Sequence, residues 1–85
     1  MAYRVELSSR ADRQFRKFPA QVRDRLQKHI DALAENPRPH GVRKLEGDEN
    51  AYRIRVGDYR ILYEIYDQVL VVIVLKVADR KEAYG

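Results

Sequence analysis

Residues 51–65 read AYRIRVGDYRILYEI, in which apolar and polar side chains alternate, break at Gly57-Asp58, and alternate again. A period of two places successive side chains on opposite faces of a strand, and a two-residue glycine turn closes the tightest kind of hairpin. A hairpin closed this way has one register. Val56 faces Tyr59, Arg55 faces Arg60, Ile54 faces Ile61, Arg53 faces Leu62 and Tyr52 faces Tyr63. Tyr52, Ile54, Ile61, Tyr63 and Ile65 then share a face that needs cover, and Arg53, Arg55 and Arg60 share the other.

The cover comes from the first half of the chain. Tyr3–Leu7 alternates and reads as a first strand. Ser8 or Ser9 can N-cap a helix with Ala11, Phe15 and Phe18 on one stripe. Pro19 stops that helix and can sit in the first turn of the next, where its missing N–H is harmless. The second helix carries Val22, Leu26, Ile30 and Leu33 on an apolar stripe, and Asn36-Pro37-Arg38-Pro39 ends it. Val42–Leu45 is either a short strand or an irregular approach, and Gly47–Asn50 is a loop. Three strands follow, Ala51–Val56, Tyr59–Tyr66 and Val69–Val77, joined by tight turns. The order β-α-α-β-β-β predicts an α+β fold with a helix pair packed on one face of a small, antiparallel-dominated sheet. The last strand, VLVVIVLKV, is apolar on both faces and so interior. The first strand is therefore expected beside it, and the arginine strand at the far edge.

The 85 residues predict a single domain, 1–85. There is no cysteine, which removes disulfides and thiolate chemistry. The start, MAYRVELSSR, has no apolar core of a signal peptide, and the longest apolar run, Val69–Leu75, is far short of the roughly 20 residues that span a bilayer. A soluble, cytoplasmic protein with no membrane partner is expected. Lys and Arg number 17 against 13 Asp and Glu, a net charge of +4 that by itself favours a nucleic-acid partner only slightly.

The distribution of charge is more telling. Arg55 directly opposite Arg60 is a like-charge pair, which weakens a hairpin by about 0.2–1 kcal/mol. Either Glu64 or a loop acid neutralises the cluster, or the cluster exists to meet an anion. Arginine suits a phosphate because its planar fork donates two parallel hydrogen bonds. Arg80, Lys81 and Tyr84 follow the last strand; Tyr84 can stack on or hydrogen-bond a base. Elsewhere the bland readings prevail. His29 lies off the apolar stripe and reads as solvated, and His40 reads as a loop spacer. Neither has a partner at metal-ligand spacing, and Glu46, Asp48 and Glu49 read as a solvated turn. No glycine-rich phosphate loop or nucleophile triad is present, and no cofactor or metal is expected.

With these residues in view, YRIRVGDYRILYEI followed by DQVLVVIVLKVADRKEAY resembles the RelE/ParE superfamily of bacterial and archaeal toxins, and its RelE branch most. The resemblance covers essentially the whole chain. It implies the toxin of a type II toxin–antitoxin module. Such a toxin is a ribosome-dependent endoribonuclease that cuts mRNA in the A site by 2′-OH attack on the neighbouring phosphodiester, without a metal. It also implies a cognate antitoxin as partner, with operator DNA bound only through the antitoxin complex. By resemblance the catalytic positions are Arg53, Arg55, Arg60, Arg80 and Tyr84. Arg60 and Arg80 would hold the scissile phosphate, Tyr84 would stack on or orient the nucleotide, and Arg53 and Arg55 would hold the phosphate. The best-known family pattern has lysines at the last two positions. Arginine stays protonated and is a poor general base, so the resemblance leaves the 2′-OH proton without an assigned acceptor other than Tyr84 or a ribosomal group. Two other readings stay open: a ParE-like toxin that binds DNA gyrase without nuclease action, and an inactive relative that only binds its antitoxin.

Overall fold

The computed structural model describes residues 2–79. Strand β1 (Arg4–Leu7) leads into helix α1 (Ser9–Arg16) and helix α2 (Ala20–Ala32); strands β2 (Arg43–Lys44), β3 (Ala51–Val56), β4 (Tyr59–Tyr66) and β5 (Val71–Asp79) follow. The sheet runs β1-β5-β4-β3-β2, with β1 parallel to β5 and the other neighbours antiparallel. The α+β order and the placing of the first strand beside the last are as the sequence predicts. Among the described residues no helix is long and apolar enough to cross a membrane.

Local chemistry sets the helix ends. The Ser8 hydroxyl accepts from the Ala11 amide at 3.1 Å and donates to the Leu75 carbonyl, which ties the start of α1 to β5. Pro19 takes the cap position of α2 rather than its first turn, with an extended ψ of 154°, and its carbonyl accepts from Arg23. Ala11, Leu26, Ile30 and Leu33 from the helices and Ile54, Ile61, Tyr63, Val72, Val74 and Val77 from the sheet form one apolar cluster. Phe18 meets Tyr59 edge-on, with ring centroids 5.2 Å apart, and so pins the helix junction to the turn end of the hairpin.

The hairpin register is the expected one, from Val56↔Tyr59 to Tyr52↔Tyr63. Gly57 has φ +60 and Asp58 does not share a positive φ, the pattern of a type II′ turn that needs glycine first. Three expectations are corrected. The arginine strand is not at the edge, because β2 pairs outside it, Arg43 against Arg53 and Lys44 against Tyr52. A bare strand edge offers unpaired N–H and C=O groups, and the returning segment covers part of it. The last strand begins at Val71, not Val69. Its turn spans Asp67–Leu70, with Leu70 at φ +54 and Val69 68% exposed, so a longer connection replaces the tight turn. The same strand runs on to Asp79, and a bulge at Leu75 explains how: Leu62 faces Lys76 while Tyr63 faces Val74. The extra residue shifts the alternation by one, so that Val77 joins Val72 and Val74 in the core.

Candidate functional site

On β3 and β4 the core takes Ile54, Val56, Ile61 and Tyr63, and the pleat sends Arg53, Arg55 and Arg60 to the face opposite the helices. Arg55 and Arg60 are direct partners. Counted from the two-residue turn, theirs is the non-hydrogen-bonded kind of pair, in which side chains stand closest. The next row across the sheet holds Arg43, Arg53, Leu62 and Lys76. Two adjacent rows thus carry Arg43, Arg53, Arg55, Arg60 and Lys76. Arg55 is exposed, whereas Arg53 and Arg60 are half-buried, which holds their side chains to fewer directions. Glu64 lies one row further on, facing Ala51 and Ile73. Its carboxylate, beside the Tyr66 hydroxyl, raises that phenol above its ordinary pKa.

A cleft of about 300 Å³ opens at the β2–β3 end of this face, lined by His40, Gly41, Arg43, Arg53, Ile54 and Arg55. Two of these residues escape the sequence reading. Arg43 reaches the site only because β2 pairs with β3. His40 reaches it through a turn: the Pro39 carbonyl accepts from the Val42 amide at 3.1 Å and Gly41 has φ +88, the geometry of a type II turn with glycine in third place. The Pro39-His40-Gly41 order was the available signal. His29 is exposed, with Nδ1 3.1 Å from the Arg25 carbonyl on its own helix. Arg80 and Tyr84, the other two expected site residues, lie outside the described residues, as does Lys81.

The segment that carries His40 and Arg43 is fixed at its other end. Arg38 donates to both oxygens of Asp67, at 3.1 and 2.8 Å, and lies over the Tyr52 ring, 5.1 Å from its centroid. Tyr3 donates to the same carboxylate at 2.6 Å. The Arg38 guanidinium, with the Tyr3 hydroxyl, holds the Asp67 carboxyl down at about 2. The buried Tyr63 hydroxyl donates to the Pro37 carbonyl at 2.7 Å, and burial pushes that phenol well above its ordinary range.

This face can bind a phosphodiester: several guanidinium groups on rigid strands, beside a cleft that adds one imidazole. Residues 5–84 match the family described as ParE toxin of type II toxin-antitoxin system, parDE. The mRNA interferase toxin RelE of Escherichia coli K12 is 34% identical, covering all of this chain and 93% of that protein. The RelE chain of the archaeal RelE–RelB complex from Pyrococcus horikoshii superposes with a TM-score of 0.83 at 32% identity, over 94% of this chain and 97% of that one. The intact E. coli RelBE toxin–antitoxin complex matches with a TM-score of 0.80 at 32% identity, over 92% of this chain and 96% of the other. The chain belongs to the RelE/ParE superfamily of toxins, as a RelE-like member.

Proposed function

We propose that this protein is the toxin of a type II toxin–antitoxin module and an endoribonuclease that cuts mRNA on the ribosome. The whole chain, 1–85, would act as one toxin domain in the cytoplasm, held silent by a cognate antitoxin. The observation that carries the reading is the convergence of Arg53, Arg55 and Arg60 on one sheet face. The chemistry needs no metal. The 2′-oxygen attacks the adjacent phosphorus, negative charge grows on the non-bridging oxygens, and the 5′-oxygen leaves. Arg53, Arg55 and Arg60, joined by Arg80, neutralise that growing charge, and Tyr84 orients a base. Fixed cationic donors aimed at charge that develops in the transition state are worth most where water is excluded. The protein supplies little orientation of the RNA by itself, so the ribosome has to position it. Relatives named as mRNA interferase and as RelE–RelB complexes support both the activity and the partner.

The test is a purified translation system programmed with a defined mRNA, with 3′ ends mapped by primer extension. Cuts confined to the A-site codon are expected. Arg60→Ala is expected to slow them about 100- to 1,000-fold, the usual cost of one lost transition-state donor. Intact mRNA with the wild-type protein would reject the nuclease reading. The match to the ParE toxin family keeps in play the second reading that the resemblance left open, a toxin that binds DNA gyrase without nuclease action. Inhibited supercoiling with mRNA left whole would decide for it.

A further inference from the structure

The arginines bind charge well and accept protons badly, so this reaction needs a base that they do not supply. We propose that His40 is that base: its imidazole takes the proton from the attacking 2′-OH. The inference rests on the nuclease reading above and names the residue that does its proton chemistry.

Three observations converge on His40. It lines the same cleft as Arg53 and Arg55, two of the arginines proposed to hold the scissile phosphate. The type II turn at Pro39–Val42 presents it there, with Gly41 in the left-handed conformation that such a turn needs. The turn is held at both ends, by Arg43 pairing to Arg53 in the sheet and by Arg38 clamped to Asp67. A loop histidine on so tethered a segment keeps its place. The charged groups that face it are Arg43 from β2 and Arg53 and Arg55 from β3, and the described residues lining the cleft include no acid. An imidazole nitrogen has a lone pair that can accept a proton, which the guanidinium groups around it lack.

The step balances without a co-reactant. A nitrogen of the neutral imidazole takes the 2′-OH proton as the O2′–P bond forms and the P–O5′ bond breaks. The products are a 2′,3′-cyclic phosphate and a 5′-hydroxyl. The departing 5′-oxygen takes its proton from water, and the imidazolium returns its own to water before the next turnover.

The test is single-turnover cleavage on programmed ribosomes across roughly pH 6 to 8.5, a range that brackets imidazole titration. Wild type, His40→Gln and His40→Ala are compared, with thermal melting and antitoxin binding checked for each. The wild-type rate is expected to rise with pH and level off above the imidazole range. Both variants are expected to bind antitoxin as wild type does, to cut about 100-fold or more slowly, and to lose the plateau. Added imidazole is expected to restore part of the His40→Ala rate and none of the Arg60→Ala rate. A His40→Ala protein that cuts at the wild-type rate with the wild-type pH profile would overturn the proposal and leave the nuclease reading standing. A wild-type protein that does not cut would remove both.

Discussion

Arg55 and Arg60 show what a residue can reveal about its own purpose. They face each other across the closest kind of cross-strand pair, and a hairpin selected for stability alone would not oppose two like charges. Replacing Arg55 by threonine, a good strand former, is expected to raise the unfolding free energy by about 0.2–1 kcal/mol while mRNA cleavage falls at least tenfold. Urea unfolding and primer extension on the same preparation check both halves. A variant both less stable and fully active would mean that the pair serves the fold. These residues were legible because a period of two and one glycine turn fix every cross-strand partner from Tyr52 to Tyr63. His40 and Arg43 were not. Their place depends on how the segment after α2 returns to the sheet, and no local periodicity encodes that route.

At the scale of elements, the last strand carries the most information that its own sequence hides. Its apolar run announces an interior strand, and it is one, between β1 and β4. The run does not announce the bulge at Leu75, because a chain of Val, Ile and Leu reads the same with or without a shift of one. What stabilises the bulge lies far away in sequence. The Gln14 side-chain oxygen on α1 accepts from the Val77 amide at 2.9 Å, and the Ser8 hydroxyl donates to the Leu75 carbonyl. One helix thus satisfies a donor and an acceptor on the bulged strand. Gln14→Met keeps the length of the side chain and removes the acceptor. It is expected to cost roughly 1–3 kcal/mol, the penalty for a buried amide without a partner. Faster hydrogen exchange at Val77 is expected beside it, and unchanged exchange there would show that another group takes over. Turn chemistry was similarly uneven. Gly57 announced its turn, whereas the Asp67–Leu70 connection turns through a leucine at φ +54, a conformation few sequence rules assign to that residue.

Across the whole molecule, four parts of the chain meet at Asp67. Tyr3 comes from the start of the chain, Arg38 from the segment after α2, Tyr52 from the hairpin, and Asp67 itself from the β4–β5 turn. The cluster ties the 36–44 segment to the sheet, and so ties the fold to the cleft that His40 and Arg43 line. Its pH dependence has a definite sign. The Asp67 carboxyl is lowered from 3.8 to about 2 by Arg38 and Tyr3, so the native state favours the charged form. The stability this adds is fully present above pH 3.8 and is lost as pH falls through about 2, where the folded protein also takes up the proton. Asp67→Asn keeps the shape and removes the charge. Wild type is therefore expected to melt higher than the variant by a constant margin near neutral pH. The margin shrinks below pH 3.8 and vanishes near 2. A margin that persists at the acid end would assign the effect to packing rather than charge. At neutral pH the variant is also expected to exchange the Val42 amide faster, since the turn that presents His40 has then lost one of its two anchors. Slow exchange there, with the melting margin intact, would separate the stability of the fold from the rigidity of the site.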